Sequence, residues 1–342
     1  MIELHLSGHL SGNNFEILPA SIKQLPKLAV LVLRDCKRIQ HLPELPPGLE
    51  HLDVRGCISL RSLAGLFTEG QKKYRAVLEW FDFCNCMKLD QSACSKIMDD
   101  ARLRIQCMAT SLVGQVCGFT PRCFSLFQVL QNLIFHATGT YGEESDETLE
   151  SEEFCKYDEE ISDEQVSFGN LANFCIPGEE IPLWFSCQNI GSSLLLTDLR
   201  HCDRRMFMGF AFCAVVVCYG CDSCVFDIKC RCHFITKSGR RCVRNSYCGF
   251  NRVNMKEVEL PLQSEHTFLC YDSSMYRSAS PSYKALFEFH PIHRNERRIH
   301  RCDVIKCGIH LLFAGYENLQ EGVREPALKR LQCNAFVCDI IC

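Results

Sequence analysis

The sequence lacks the signals that direct a chain into a membrane or into the secretory route. Its N-terminus, from Met1 to Leu6, has no basic segment followed by an apolar core, so we expect no signal peptide. None of its 13 asparagines stands in an Asn-x-Ser/Thr sequon. One apolar run, residues 206–221, is shorter than the ~20 residues of a spanning helix, and its Phe and Val content is typical of a buried strand. We therefore expect a protein of the cytoplasm or the nucleus with no membrane partner.

The sequence also lacks a strong excess of one charge and the motifs of common enzymes. The formal net charge is −4 over 342 residues, so nothing drives the chain as a whole toward nucleic acid. No phosphate-binding loop of the form GxxxxGK[ST] occurs, and no cysteine stands in the sequence context of a catalytic nucleophile. We expect neither an enzyme nor a cofactor.

Cysteine, by contrast, is abundant, with 26 residues. Because no secretory signal is visible, free and buried thiols are the default expectation. The alternative is a zinc-stabilised, cysteine-rich binding domain, for which Cys218, Cys221 and Cys224 have a usable spacing. Cys230 and Cys232 would share one apolar face of a strand, with His233 on the opposite face, so they fit a metal site poorly.

The first 60 residues contain a repeat. Asn13, Cys36 and Cys57 follow equivalent strand-like segments and are spaced by 23 and 21 residues, within the range of leucine-rich repeats. The Asn or Cys position requires a small side chain that hydrogen-bonds the turning backbone. Closely spaced prolines in residues 42–48 exclude long helices on the convex side.

The first repeat is irregular, and the chain opens directly on it. Two registers four residues apart fit the segment 4–13, one of which includes His5 in the strand. A solenoid needs about three repeats and a polar N-terminal cap to be stable alone. We therefore expect this chain to be cut out of a longer one or to derive from a truncated gene.

After the repeats, residues 77–83 predict one more strand, and a helix should follow. Apolar residues at helical spacing predict this helix from about Ser92 to Leu112, with Asp90 or Ser92 as its N-cap. We expect the helix to cap the open end of the solenoid core. Residues 143–164 then carry twelve acidic residues against one lysine, which predicts a mobile acidic linker.

From residue 174 onward the hydrophobic period is two, which predicts an antiparallel β-sandwich. Residues 226–234 alternate most clearly. Further predicted strands are Leu194–Leu199, Met208–Val217, Val253–Leu260, His266–Tyr271, Ala285–Phe289 and Ile305–Phe313. The fold class is thus mixed: a short leucine-rich-repeat solenoid end capped by a helix, then a sandwich. The predicted divisions are repeats at 1–90, a helical connector at 91–138, an acidic linker at 139–169, the sandwich at 170–316 and a tail at 317–342.

These segments resemble the C-terminal part of plant TIR-type nucleotide-binding leucine-rich-repeat receptors. The repeat stretch from LSGNNFEILP to VRGCISL and the segment FDFCNCMKLD resemble their terminal repeats. The segment FCIPGEEIPLWFSCQNIGSSLLL, at 174–196, is similar to the opening of their post-repeat C-JID domain, a jelly-roll or Ig-like sandwich. MGFAFCAVV, HTFLCYD, ALFEFH and VIKCGIHLLFAG resemble its later strands in the same order. The resemblance covers residues 1–112 and 170–316.

The resemblance implies a recognition module that binds a pathogen effector protein and contacts other domains of a nucleotide-binding receptor. The alternatives are the zinc-stabilised domain above and a truncated receptor fragment that acts as a decoy or has no function. Strand residues between the buried leucines should face the concave surface, where a protein partner binds, together with one polar loop of the sandwich. The predicted partner-binding residues are His5, Val32, Arg34, His51, Asp53 and Arg55 on the repeats, and Asp198, Arg200, Asp203, Arg204 and Arg205 in the loop.

Overall fold

The computed structural model describes residues 6–66, 79–117, 171–197, 199, 207–219, 227–235, 238–239, 241–249, 262–272, 275, 284–292, 299 and 301–313. Those residues form mostly β-strands in several sheets, with a single α-helix, α1 (Gln91–Cys117), and one 3₁₀ helix, Ala20–Gln24. The first seven strands are β1 (Leu6–His9), β2 (Leu28–Val32), β3 (His41–Leu42), β4 (His51–Asp53), β5 (Ser62–Leu63), β6 (Glu79–Asp82) and β7 (Leu171–Pro177). The others are β8 (Cys187–Ile190), β9 (Ser193–Thr197), β10 (Phe207–Cys218), β11 (Asp227–Ile235), β12 (Arg241–Gly249), β13 (His266–Asp272), β14 (Lys284–Ile292) and β15 (Cys302–Phe313).

The strands β1, β2, β4 and β6 lie side by side in parallel. Their register aligns Leu31 with Leu52 and Phe81, all of which are buried on one face. The strands are only three to five residues long because each is followed at once by a tight turn. The small separate ladder β3–β5 runs parallel as well, on the return path of the chain.

A side chain from each turn hydrogen-bonds the backbone, as predicted for the Asn or Cys position. Asn13 Nδ2 donates to Leu10 O within its own turn. The thiols donate to the preceding coil: Cys36 to Leu10 O, Cys57 to Leu33 O and Cys86 to Val54 O, each at 3.1 Å. The sequence had identified three such positions, and Cys86 is the fourth. The bonds of Cys57 and Cys86 satisfy the carbonyl groups of the buried residues Leu33 and Val54, where one turn stacks on the next.

The register of β1 decides between the two alignments of the first repeat. Ser7 and His9 are the Cα partners of Val30 and Val32, so the alignment that ends in Asn13 is the one found. His5 lies outside the described residues.

The helix α1 begins one residue before its predicted start and extends beyond its predicted end, to Cys117. Asp90 is its cap, since its carboxylate accepts the Ala93 N–H at 2.7 Å. The predicted apolar stripe is buried, including Ile97 and Ile105. The helix contacts β5, β7 and β10, so it covers a core that the parallel strands share with the strands beyond them.

The sheet does not stop at β6, which is the main difference from the predicted two-part organisation. Strand β7 pairs in parallel with β6, and the order continues as β1-β2-β4-β6-β7-β13-β10-β15-β8, with antiparallel pairing beyond β7. One nine-stranded sheet therefore runs through both predicted halves. The rest of the predicted connector after Cys117, the linker at 139–169 and the tail at 317–342 lie outside the described residues.

A four-stranded sheet of order β12-β11-β14-β9 faces the distal part of the long sheet. Phenylalanines fill the space between them, with Phe210 and Phe287 packed edge to face at 5.2 Å between ring centroids. Such an arrangement is compatible with a β-sandwich. The predicted strands at 194, 208, 266, 285 and 305 are found, and β7, β8 and β12 were missed. The predicted strand Val253–Leu260 lies outside the described residues.

Within the apolar run at 206–221, Phe207–Cys218 form strand β10, which pairs with a strand on each side and whose residues 207–216 are all buried. Among the described residues, no helix is long and apolar enough to cross a membrane. Strand β11 shows the predicted alternation, because Ile228, Cys230, Cys232 and Phe234 are buried and Arg231 is exposed.

Candidate functional site

One face of the nine-stranded sheet is polar in the parallel strands and apolar beneath the four-stranded sheet. Two rows of register partners define it. The first row is Val30, His51, Trp80, Asn173 and Cys270, and the second is Val32, Asp53, Asp82, Cys175 and Phe268. We call the part formed by β2, β4 and β6 the polar face. Its far edge runs directly into the space between the two sheets, because β7 and β13 continue the same rows.

Four charged side chains of alternating sign form an internal network on the polar face. Arg34 Nε donates to Asp53 Oδ2, and Arg55 Nη2 donates to the same oxygen at 2.9 Å. Arg55 Nε lies 3.0 Å from Asp82 Oδ2, which extends the chain of ion pairs. Burial opposes the charge of Arg55, but Asp82 and Asp53 raise its pKa above the usual value. The two positive charges and the two negative charges thus neutralise one another within the fold.

The predicted partner-binding residues of the repeats are not equally accessible. Val32, Arg34 and Asp53 are 3%, 7% and 2% exposed, so little of their surface remains for a partner. His51 and Arg55 are half-buried. Five predicted loop residues, Asp198, Arg200, Asp203, Arg204 and Arg205, lie outside the described part of the chain, as does His5.

Two residues of this face were missed in the sequence. Trp80 packs against His51 with 6.2 Å between ring centroids, and the Arg55 guanidinium carbon lies 5.7 Å from the Trp80 centroid. Asp82 is the second anion that holds Arg55. Both occupy the same strand positions as His51 and Asp53, so aligning residues 77–83 with the two preceding strands would have found them.

At the end of β6 the polar face meets a buried cluster of thiols. An oxygen of Asp82 and the sulfurs of Cys84 and Cys175 all lie within 4.8 Å of one another, and all three residues are buried. Asp82 Oδ1 accepts the Cys84 N–H at 2.9 Å, which fixes the turn that carries the first thiol. Cys175 comes from β7, so the cluster lies on the seam between the two strands.

His266 of β13 borders this cluster. Its Nδ1 lies 2.9 Å from Ser264 O and its Nε2 accepts the Asn85 N–H at 2.9 Å, which assigns the proton to Nδ1. A hydrogen bond from Cys175 lowers the pKa of Cys84, against the effect of burial. Burial opposes the charged form of His266, whereas the adjacent Cys84 raises its pKa. Burial raises the pKa of both Cys175 and Asp82.

The zinc ligands suggested by sequence do not form a complete set. Cys218 is bonded to Cys302 in a disulfide, which removes its thiolate from that set and corrects the expectation that the cysteines are free. Cys221 and Cys224 lie outside the described residues. Cys230 and Cys232 are buried with apolar neighbours. His233 lies on the opposite face of the strand, as its alternation predicted, with Nε2 2.9 Å from Glu288 Oε2. The remaining cysteines of the described part are free thiols, and most are buried.

Comparison with known proteins agrees with the resemblance inferred from the motifs. Residues 176–319 match the C-JID domain, so the chain carries this domain from β7 to just beyond β15. Over most of its length the chain is also homologous to disease resistance proteins of Arabidopsis thaliana.

Three such relatives illustrate the extent of the match. The disease resistance-like protein DSC1 is 30% identical over 89% of this chain. The disease resistance proteins RPP2B and RPS4 are 27% and 26% identical over 85% and 87% of it. These matches cover 22%, 22% and 21% of the respective relatives, so the chain spans about a fifth of their length.

Proposed function

We propose that this chain is the effector-recognition module of a plant intracellular immune receptor. It binds a pathogen protein and performs no chemistry of its own. The observation that carries the proposal is the continuity of the polar face with the inner rows of the sheet in the C-JID region. A partner lying on that face would contact the parallel strands beside the point at which they pair with the first strand of the C-JID region. Homology to disease resistance proteins supports the immune role.

We further propose that the parallel strands and their turns are the last coils of a leucine-rich-repeat solenoid. The support is the recurring thiol-to-carbonyl bond of Cys36, Cys57 and Cys86, each of which ties one coil to the coil before it. We propose likewise that the two sheets that face each other form a jelly-roll or Ig-like sandwich, supported by their shared phenylalanine core and the C-JID match. The solenoid then presents its concave side as the polar face.

Within that face, half-buried residues are the contact points and buried ones support them. His51 and Arg55 retain accessible surface, whereas Asp53 and Asp82 hold Arg55 in place and Arg34 holds Asp53. An arginine oriented in this way loses little side-chain entropy on binding, which favours it as a contact for a carboxylate of the partner. The polar loop at 198–205 supplies the second half of the contact.

The test is capture of effector proteins by the full chain. Effectors of pathogens that infect the source plant are expressed singly and co-precipitated with the purified chain. For each binder, His51→Ala and the pair Arg204→Glu with Arg205→Glu are expected to reduce capture at least tenfold. Lys23→Glu is the control, because Lys23 is half exposed on the 3₁₀ helix and pairs with Glu44. A binder that both variants capture as well as the parent chain does would refute this placement.

A further inference from the structure

The thiol cluster between β6 and β7 has the composition of a metal site. Its members come from two neighbouring strands and the turn that follows β6, and the sequence separation of Cys84 and Cys175 is 91 residues. One carboxylate and two thiols meet there in full burial, with an imidazole beside them. None of these four residues belongs to the cysteine-rich segment that sequence reasoning considered for zinc.

The ligand atoms are close enough for a tetrahedral ion. Zinc binds sulfur at about 2.3 Å and carboxylate oxygen at about 2.0–2.2 Å, so ligand atoms around it lie roughly 3.5–3.8 Å apart. The three atoms of Asp82, Cys84 and Cys175 already lie within 4.8 Å of one another. Each pair of these atoms therefore has to approach by no more than about 1.3 Å to reach the ligand spacing of zinc.

We propose that Asp82, Cys84 and Cys175 form a zinc site, in which His266 Nε2 becomes the fourth ligand by exchanging its hydrogen bond from the Asn85 N–H for the ion. Asp82 has two oxygens with two acceptor positions each, so its contacts with Arg55 and the Cys84 N–H leave room for an ion. Arg55 would orient the carboxylate from outside. The contact of His266 Nδ1 with Ser264 O assigns the proton to Nδ1 and leaves Nε2, which accepts the Asn85 N–H in the absence of an ion, as the ligating nitrogen.

The chemistry of the donors suits a divalent cation, because thiolate sulfur and carboxylate oxygen are ligands that zinc takes in proteins. On zinc binding each protonated thiol loses its proton to solvent as the zinc–sulfur bond forms.

Such an ion would join the parallel strands to the C-JID region. Its ligands belong to the end of β6, to β7 and to β13, which are consecutive strands of the sheet. The seam is where the pairing changes from parallel to antiparallel. A zinc ion at this point therefore holds the polar face in register with the inner face of the sandwich.

The test measures metal content and ligand type in the full chain. Protein purified with reductant and zinc is analysed for bound metal, and cobalt(II) is then substituted to read tetrahedral thiolate ligation from its absorption. We expect one zinc per chain, lost in Cys84→Ser and in Cys175→Ser. The controls Cys86→Ser, in the same turn, and Cys230→Ser, in the second sheet, should retain it. Retention in Cys221→Ser with Cys224→Ser separates this site from the cysteine-rich segment.

A second measurement applies if the serine variants fail to fold. Native parent protein is alkylated with and without zinc, and the modified cysteines are mapped by mass spectrometry. The proposal expects zinc to slow alkylation of Cys84 and Cys175 at least tenfold more than that of Cys86 and Cys230. Substoichiometric zinc in the parent chain, a cobalt spectrum without thiolate bands or equal protection of all four thiols would overturn it.

Discussion

Arg104 of α1 and Glu79 of β6 form a buried ion pair, with Nη1 and Oε2 3.3 Å apart and side-chain exposures of 2% and 7%. The same guanidinium donates to Leu49 O and Leu66 O and lies 4.4 Å from the Phe81 ring centroid. One side chain of the helix therefore contacts Leu49, Leu66 and the strand β6. These contacts hold α1 against the sheet where β6 pairs with β7.

Replacing Arg104 with Met should lower the free energy of unfolding by about 3–5 kcal/mol, because Glu79 would be left as an uncompensated buried charge. Urea denaturation of the full chain measures the loss. Arg102→Met is the matched control, since Arg102 is exposed on the same helix, and it should change stability by less than about 0.5 kcal/mol. Adding Glu79→Gln to Arg104→Met should recover part of the loss, and a double variant as unstable as the single one would contradict this origin.

The thiol of Cys57 is predicted to act as a hydrogen-bond donor and not merely as a small apolar group. Cys57→Ala should cost about 1–3 kcal/mol, because Leu33 O is buried and loses its partner. Cys57→Ser keeps a donor and should cost less than Cys57→Ala. Equilibrium denaturation of the two variants separates the roles, and a serine variant less stable than the alanine variant would argue for apolar packing alone.

The stability of the chain should rise with pH between about 4 and 6.5 because of His310. Burial lowers the pKa of His310 to about 4, with Arg102 contributing, while its unfolded value is 6.5. Between these two pKa values His310 is protonated in the unfolded chain and neutral in the folded chain, so the unfolded chain binds more protons than the folded one. The stability that this difference supplies is complete above pH 6.5 and is lost as the pH falls through 4. The expected amplitude is on the order of 2–3 kcal/mol.

Denaturation midpoints across this pH range test the effect of His310. His310→Gln should flatten the profile, whereas His41→Gln, at an exposed histidine, should leave it as in the parent chain. If the two variants give the same slope, His310 is not its source.

Reduction of the Cys218–Cys302 disulfide should destabilise the C-JID region. The bond closes a loop with a sequence separation of 84, for which loop entropy implies up to about 4 kcal/mol. Thermal unfolding with and without reductant measures the change. Cys218→Ala with Cys302→Ala should unfold at the temperature of the reduced parent chain and should not respond to reductant; a response in that variant would assign the effect to other cysteines.

Much of the local structure was predictable from periodicity. The alternation in β11, the helical stripe through Ile97 and Ile105 and the spacing of Asn13, Cys36 and Cys57 each reflect contacts made within one element or between consecutive repeats. Strand β12 (Arg241–Gly249) was missed because its buried and exposed residues do not alternate strictly and several of its residues are polar or charged.

The candidate site was predictable in part. The strand pattern correctly placed His51, Asp53 and Arg55 on one face. The charged residues expected to contact a partner, however, form ion pairs with one another: Asp53 pairs with Arg34 and Arg55, and Arg55 pairs with Asp82. Burial of Arg34 and Asp53 depends on what lies beside them on adjacent strands, and a single strand carries no information about that. Trp80 and Asp82 likewise join this face through the pairing of β4 with β6, which a single strand does not reveal.

The sequence by itself determined the repeat spacing, the helix and its cap, the alternating strands and the resemblance to the C-JID domain, because these depend on residues near one another in the chain. Only the tertiary structure decided that β6 pairs with β7, that the helix lies beneath both and that Cys84, Cys175 and His266 meet beside Asp82. The physical reason is that strand pairing joins residues about 90 positions apart. Backbone hydrogen bonds, which carry no side-chain signature, supply that pairing.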